Sequence, residues 1–583
     1  MFSYTPPIDD YRFILAEVIG FDAAMSELGR ADIDADLTMS ILEEAGRLCA
    51  ERLHPINRSG DEEGSRLDNG MVTTPAGFAD AYRAFADGGW MSLSGDPAYG
   101  GQGLPFIAQL WLDEMVSAAN LSFGLFPGLT RGATEAIAAH ATEALKSIYL
   151  PPLISGAWSG AMALTESGAG TDLALLKTKA VPQGDGSYAI TGTKIFISSG
   201  DHDFGGNIVH LVLARMPDAP PGVKGISLFI VPKFLPQVDG SLGARNAMSV
   251  GALERKMGIH AQPTCVMNYD GATGWLVGEP HRGVAAMFTM MNAERLMVGI
   301  QGLGVAGAAY QQAVGYARER LQGRSSDGAR APVAIIEHAD VRRMLLGVRG
   351  FVEGARALAG WTALQLDRAH GHPEAAERAR SDALVALLTP VIKASFTDFG
   401  FESAVQAQQV FGGHGYIRES GVEQYVRDAR IAQIYEGTNG VQAMDLVGRK
   451  LPLGGGAVAD GFFDLIAADL DAVSAVEEGA PIVTRTREAL AVLREITAGL
   501  RGSDVDEVGA AAVDYLRLFA LVAMGWMWAR MAAAAALGDT SFHHAKRDVA
   551  TYFAERMLPQ AQGLAAGIRA GAAPIMALPA ASF

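Results

Sequence analysis

Three short segments, "SYAITGTKIFISSG", "NIVHLVLARM" and "GISLFIVPKFL", follow one another between Trp158 and Gly283 with no helical pattern between them. Each is rich in β-branched and aromatic residues and is bounded by Gly, Pro or Asp, which marks a strand. Strands in direct succession lack the crossover helices that a parallel sheet needs, so the stretch reads as an antiparallel barrel or sandwich. A chain containing it is neither all-helical nor a wound βαβ sheet.

Helical patterns flank it on both sides. Upstream, "LTMSILEEAGRLCAERLHPINR" repeats apolar residues at three- and four-residue steps, interrupted only by the Gly- and Pro-rich turn "GDPAYGGQGLP" at Gly95–Pro105. Downstream, "AAMFTMMNAERLMVGIQGLGVAGAAYQQAVGYARERLQG" and "HADVRRMLLGVRGFVEGARALAGWTALQLDRAH" predict two long helices with Ala- and Gly-rich packing faces. "LPLGGGAVADG" at Leu451–Gly461 reads as a linker before more helices, among them the Ala-rich "AAAVDYLRLFALVAMGWMWARMAAAAALG". The expected organisation is a helical domain over 1–157, a β-domain over 158–283, a helical bundle over 284–450, and a linker with an additional helical domain over 451–583. No fixed-period repeat suggests a solenoid.

Bulk properties narrow the function. A chain of 583 residues exceeds one hydrophobic core. Its 47 basic and 64 acidic residues leave a formal charge of −17, a field that disfavours nucleic acid and anionic membranes as main partners. Two cysteines, Cys49 and Cys265, are too few for a disulfide framework or a thiolate metal site. No signal peptide, no uninterrupted apolar run of about 18 residues and no peroxisomal C-terminus are present, so a cytoplasmic protein without a membrane span is expected. The pair His543-His544 has no carboxylate cluster nearby and is not read as a metal site. His414, His260 and Cys265 are read as packing residues, and "DEEGSR" near Asp61 as a solvated loop.

Two stretches carry chemistry. In "AMALTESGAGTDLALLKTKA", backbone N–H groups and the hydroxyls of Thr165 and Thr171 suit the polar edge of a flat heterocycle or a phosphate, although such a turn also serves as a plain connection. Strict alternation in "KIFISSG" puts Phe196 and Ser198 on one side of a strand, either stacked on that heterocycle or directed into a barrel core. In "IAQIYEGTNGVQ", Glu436 stands between apolar Ile434-Tyr435 and the break Gly437-Thr438-Asn439-Gly440. It is a surface carboxylate, a helix-end residue, or a base held partly out of water.

"ALTESGAGTD", "KIFISSG", "NAERLMVGIQGLG", "YARERLQG", "QVFGGHGYIRE" and "RDARIAQIYEGTN" resemble, in order and spacing, the acyl-CoA dehydrogenase family of flavoproteins. The likeness covers about Tyr11 to Lys450, and the extra C-terminal unit resembles a longer bacterial branch. It implies an α+β multidomain fold: an N-terminal helical domain, a middle β-domain and a C-terminal four-helix bundle with FAD between them. It implies that Ala163, Leu164 and Thr165 contact the flavin through backbone and hydroxyl, and that Thr171 reaches the flavin or the CoA chain. Phe196 and Ser198 would lie against the isoalloxazine, where Trp is the commoner aromatic. Arg320 would bind the FAD pyrophosphate of a neighbouring subunit as a bidentate fork. Gln409 and Gly413 would line its adenosine end, and Thr438 its phosphates. Gln322, Gly323 and Gly440 depart from the family pattern, so no contact is carried to them.

Glu436 matches the family base, which removes the α-proton of an acyl-CoA thioester while the β-hydrogen leaves as hydride to flavin N5. A raised pKa in an apolar pocket suits that task. Gly437, Thr171 and Arg295 would bind substrate. Some relatives place the base before the arginine of an "ER" pair, and this chain has Glu294-Arg295; Glu294 is therefore an alternative or auxiliary base, or an intrahelical partner of Arg295. The resemblance further implies an electron-transfer flavoprotein as acceptor and a homodimer or dimer of dimers. Two rivals are an acyl-CoA oxidase and a non-enzymatic DNA-binding flavoprotein of the same superfamily. A methylthio-substituted propionyl group, short chains and long chains are all open as the acyl part.

Overall fold

A computed structural model describes residues 3–237, 240–324, 332–473 and 480–583. The chain forms two compact units, one of Met1–Gly46, Leu110–Glu114 and Val298–Phe583, the other of Arg47–Gln109 and Met115–Met297. Leaving shorter turns aside, the helices before the β-domain are α1 (Ala35–Leu48), α2 (Pro55–Glu63), α3 (Phe78–Asp87), α4 (Phe106–Ala119), α5 (Leu121–His140) and α6 (Glu143–Ile154).

The strands of the main sheet are β1 (Ser159–Ala163), β2 (Lys179–Pro182), β3 (Tyr188–Ser198), β4 (Ile208–Arg215), β5 (Ile226–Pro232), β6 (Met248–Leu253) and β7 (Thr264–Val277). β7 pairs β3, β3 pairs β2, β2 meets β4, β4 pairs β5, and β5 returns to β7, so five strands close a ring. β6 and β1 extend it from β7 and β4. The barrel expected from the sequence is there, with one difference: β1 and β2 both run parallel to β4. β4 and β5 are buried on both faces. Leu211, Leu228 and Ile230 pack outward on Leu129, Ile137 and Leu150 of α5 and α6, whereas Val212, Phe229 and Val231 fill the inside with Met267 and Tyr269.

Buried imidazoles brace this sheet. His210 joins the Tyr269 hydroxyl at 2.7 Å and the Gly200 carbonyl at 2.8 Å, and His202 meets Ser159 Oγ at 2.7 Å. Burial, with Lys233 nearby, pulls His202 down to about 3 and His210 to about 4. Asp61, expected in a solvated loop, is instead buried in α2 and bonded to His260 at 2.8 Å, because the helix turns this one carboxylate inward.

The other unit is built on α7 (Gly283–Glu319, whose first turns belong to the β-containing unit), α8 (Ala339–Gly371), α9 (Ala375–Val410), α10 (Glu423–Arg430), α11 (Asn439–Asp445), α12 (Ala457–Val473), α13 (Ala480–Leu500), α14 (Val505–Ala535), α15 (Ser541–Tyr552) and α16 (Gln560–Arg569). The Gly-rich faces do let helices meet closely: a Cβ on Gly302 would lie 2.5 Å from the Phe396 carbonyl, and one on Gly400 2.5 Å from that of Gly302. α7 ends at Glu319 rather than running through "LQG", which pairs as a strand with Pro332–Ala334. The expected linker is shorter than Leu451–Gly461, since α12 already starts at Ala457 after left-handed Gly454, Gly455 and Gly456.

Inside this unit Arg356 reaches Asp10 and, at 2.6 Å, Glu114, while Lys546 reaches Asp10 and, at 2.8 Å, Glu353. All five are nearly or wholly buried. Contrary to the expectation that no stretch could span a bilayer, α9 and α14 are long and apolar enough by length and composition, because helical windows rather than unbroken runs set that property. Most residues of each such window are buried within the protein.

Unfolded histidines protonate near 6.5, whereas His210 in the sheet resists protonation down to about 4. The unfolded chain therefore binds the extra proton, and stability falls as pH drops from 6.5 toward 4, by on the order of 3 kcal/mol for this residue. His210→Gln is expected to flatten the slope between pH 7.5 and 4.5 in urea denaturation midpoints.

Candidate active site

In the β-containing unit, the predicted flavin-contact residues gather where β1 leaves the barrel. Ala163 and Leu164 are buried and Thr165 half-buried. The Leu164 carbonyl accepts from Lys194 Nζ at 2.8 Å, and that of Thr165 from the Ile195 N–H at 2.9 Å. Those two carbonyls are thus committed to β3, while the hydroxyls of Thr165, Thr171 and Ser198 make no hydrogen bond among the described residues. Thr171 is exposed on the loop beyond.

Glu166, which the sequence reading passed over, anchors this loop. Its carboxylate takes Lys194 Nζ at 2.9 Å, the Thr178 hydroxyl at 2.6 Å and the Lys177 and Thr178 N–H groups at 2.8 and 3.0 Å. Burial alone would raise Glu166, but Lys194 and these donors hold it below the usual carboxylate range. Burial in turn pulls Lys194 down to about 8 against the pull of Glu166. A glutamate two residues before a glycine carried no signal of this role in the sequence.

Phe196 departs from plain alternation. Cys265 pairs Ile197 and Met267 pairs Lys194, so Ile195 and Phe196 share one partner in a β-bulge. The bulge shifts the burial phase: Ile190 and Lys194 are buried, then Ile197, with Phe196 58% exposed at φ +60°. A left-handed bulky residue costs about 1–3 kcal/mol and persists only where its surroundings impose it. The inward-facing alternative for this ring is thereby overturned. Glu294, in the same unit, is buried so close to α5 that a Cβ on Gly132 would come within 2.5 Å of its carboxylate. Arg295 is buried with its guanidinium 5.6 Å from the Phe288 ring centroid and 3.4 Å from Asn292 Oδ1.

In the helical unit, two further groups form. Arg320 sits at the end of α7, its guanidinium without hydrogen bond or ion pair among the described residues. One turn earlier Tyr316 stacks on Phe411 at 4.2 Å and its hydroxyl meets His414 Nδ1 at 3.1 Å. These contacts hold the Gly412-Gly413 turn beside the end of α7, and a Cβ on Gly413 would meet nothing within 4 Å. His414, expected as a packing residue, is instead exposed, with its ring hydrogen-bonded to Tyr316. Gln409 is exposed on the last turn of α9.

The second group is the Glu436 loop. α10 tightens into a 3-10 turn at Ile431–Gln433, then Glu436 (φ +56°) and Gly437 (φ +86°) are both left-handed and reverse the chain. Thr438 caps α11, its hydroxyl accepting from the Val441 N–H at 3.4 Å. Gln442 Nε2 donates to the Glu436 carbonyl at 3.2 Å. A Cβ on Gly437 would strike that amide at 2.6 Å, so only glycine fits. Glu436 is half-buried.

What holds the reversal is Lys393, wholly buried on α9. Its ammonium donates to the Gly437 carbonyl at 2.7 Å and to Asn439 Oδ1 at 2.9 Å. Asn439 Nδ2 donates to Asp398 Oδ1 at 2.7 Å and Thr397 Oγ1 at 2.9 Å, and Gln433 Nε2 reaches the same Asp398 oxygen at 2.6 Å. Tyr435 OH donates to Gln301 on α7. The sequence offered only a lone lysine in an apolar run, "TPVIKASF", as a hint.

Comparison with known proteins gives the family. Models described as acyl-CoA dehydrogenase N-terminal, middle and C-terminal domains match residues 36–157, 161–272 and 281–451. One described as acetyl-CoA dehydrogenase C-terminal like matches 462–579. The chain belongs to the acyl-CoA dehydrogenase family. It is 44% identical to 3-methylmercaptopropionyl-CoA dehydrogenase of Ruegeria pomeroyi over 95% of this chain and 96% of that protein. It is 34% identical to the broad-specificity linear acyl-CoA dehydrogenase FadE5 of Mycobacterium tuberculosis over 96% of each. An acyl-CoA dehydrogenase complexed with FAD from Bacillus anthracis shares the fold at TM-score 0.74 and 20% identity, over 92% of this chain and 88% of that one.

As a member of this family the protein is a flavin-dependent oxidoreductase acting on acyl-CoA, and its cofactor is FAD. The residues present fit that group: an outward aromatic ring, three uncommitted hydroxyls, an arginine fork without an internal partner and an open glycine turn. Among the described residues no cluster suits a metal.

Lys393→Met removes the donor that fixes Gly437. Displacing a loop by about an ångström costs as much as a hundredfold in rate. The variant is expected to lose about that much in anaerobic single-turnover flavin reduction by acyl-CoA, with FAD content unchanged.

Proposed function

We propose that the enzyme converts an acyl-CoA thioester to the trans-2-enoyl-CoA, with Glu436 removing the α-proton. The observation that carries this reading is the left-handed Glu436-Gly437 reversal fixed from behind by Lys393. It strains a half-buried carboxylate into one position. In this reading the thioester oxygen accepts from the Glu436 backbone N–H, which stabilises charge as the α-carbon loses its proton. Glu436 keeps the proton on its carboxyl, and Gly437 lets the thioester approach the backbone closely. Bound FAD supplies the acceptor for the β-hydrogen as hydride.

The same reading gives the remaining residues their tasks. Phe196 and the hydroxyls of Thr165, Thr171 and Ser198 face the isoalloxazine, with the backbone of Ala163 and Leu164 contributing N–H contacts, since the Leu164 carbonyl belongs to Lys194. Arg320, Gln409 and Gly413 take the pyrophosphate and adenosine of FAD from a second copy of the chain, making a homodimer the working form, and the Thr438 hydroxyl lies near the FAD phosphates. Arg295 and Thr171 contact the substrate. Glu294, pressed against α5, acts as an auxiliary carboxylate rather than as the base. An electron-transfer flavoprotein receives the electrons. Among substrates, 3-methylmercaptopropionyl-CoA is the first to test, because the relative named for it shares 44% of its residues over nearly the whole chain.

Anaerobic titration of the yellow protein with 3-methylmercaptopropionyl-, butyryl- and palmitoyl-CoA, following flavin absorbance, tests the reaction. Glu436→Gln is expected to lose bleaching by at least a thousandfold with FAD retained, and Glu294→Gln by less than tenfold. Loss confined to Glu294→Gln would reverse the assignment. Rapid peroxide release with oxygen as sole acceptor would make the protein an oxidase, and salt-dependent DNA binding without bleaching by any acyl-CoA would remove the enzymatic reading.

A further inference from the structure

A cavity of about 270 Å3 lies within the helical unit among α8, α9, α14 and the turn after α15. That is room for about nine molecules the size of water. Its floor is apolar: Met344 and Phe351 of α8, Phe399 of α9 and Met557. Phe351 and Phe399 stack with centroids 5.4 Å apart and planes 26° apart, giving a rigid aromatic wall. Gly347 also lines it, and a Cβ there would meet only the Tyr552 hydroxyl at 3.7 Å. Part of the space therefore exists because position 347 has no side chain. Tyr552 is itself fixed by donating to the Arg343 carbonyl at 3.0 Å.

The rim is cationic. Arg343, Arg517 and Arg556 line it against one carboxylate, Glu402. Arg517 lies over the Phe399 ring at 4.2 Å and grips Glu402 with both terminal nitrogens at 2.6 and 2.8 Å, a neutral pair that forms one wall. Arg343 gives its Nε to Asp340 at 2.9 Å, which leaves its two terminal nitrogens uncommitted among the described residues. Arg556 makes no ion pair or hydrogen bond among them. Gln406, also lining the cavity, buries an amide oxygen with no partner. A buried polar atom left unpaired is costly, so this oxygen calls for a donor from outside the chain. In a chain of net charge −17, two guanidiniums with free donors beside a stacked aromatic wall are a local exception.

We propose that this cavity binds a small organic phosphate with an apolar body. The apolar body packs against Met344, Met557 and the edges of the Phe351–Phe399 stack, the phosphate spans Arg343 and Arg556, and a hydroxyl or N–H of the ligand donates to Gln406. Planar guanidiniums suit a phosphate dianion because each presents two parallel donors. All the residues involved lie outside the groups assigned to flavin and substrate, so the proposal stands apart from the dehydrogenation reading.

The test is isothermal calorimetry of the full-length FAD-loaded protein with phenyl phosphate, beside inorganic phosphate and benzoate. Saturable binding of one phenyl phosphate per chain is expected, at least tenfold tighter than either control. Gly347→Met fills the floor and Arg556→Glu reverses an exposed charge, and each is expected to weaken binding at least tenfold. Both variants should keep their flavin and bleach with acyl-CoA within twofold of the parent, which separates this site from the catalytic one. Absence of saturable binding, or equal binding by both variants, would overturn the site. Inorganic phosphate binding as tightly would mean an adventitious ion only, and benzoate binding as tightly would overturn the choice of phosphate.

Discussion

An ammonium group with no access to water organises the Glu436 loop. Lys393 is tolerated inside α9 because the Gly437 carbonyl and the Asn439 side chain replace its hydration. The reverse also holds. A left-handed glutamate followed by a left-handed glycine is a conformation that an isolated peptide avoids, and the fixed ammonium makes it the only one that leaves no buried charge unpaired. Asp398 sits one step further back, joining Asn439 and Gln433 so that both arms of the loop share one carboxylate oxygen.

The β-containing unit solves the corresponding problem by different means. A closed ring of strands gives a stiff frame, and a bulge in β3 turns one aromatic ring out of it. Glu166 and Lys194 then tie the loop after β1 to that strand. In both units a buried lysine bonds a backbone carbonyl: Lys194, two residues before left-handed Phe196, bonds that of Leu164, and Lys393 bonds that of Gly437, next to left-handed Glu436. Among the described residues Phe196 and Glu436 are two of six non-glycine residues with left-handed φ, the others being Asn69, Ser199, Ile259 and His281.

Much of the architecture was legible because burial imposes periodicity. Ile208–Arg215 and Ile226–Pro232 are mostly apolar runs, interrupted at His210 and Ser227, and the long helices announced themselves by their Ala and Gly faces. The strand Thr264–Val277 was harder, since Asp270 and Gly271 interrupt it, and its pairing with β3 absorbs them as a register shift. The same shift mechanism hid the orientation of Phe196, because alternation holds only while each residue has its own partner. The motif around Glu436 was legible as a motif. Lys393 was not, since its partner loop is 44 residues away and no local pattern records a contact of that range. The inward turn of Asp61 was missed for a related reason: His260, which receives it, lies on the far side of several strands in sequence.

The buried charges that join Asp10 to Lys546 have a temporal meaning as well. These side chains are 536 residues apart, so the carboxylate is made well before its lysine counter-ion. At about 5–20 residues per second, the nascent N-terminal arm waits roughly half a minute to two minutes for its lysine. Arg356 lies 346 residues downstream of Asp10, so for most of that interval the carboxylate has neither cation, and Arg356 alone can neutralise it until Lys546 is made.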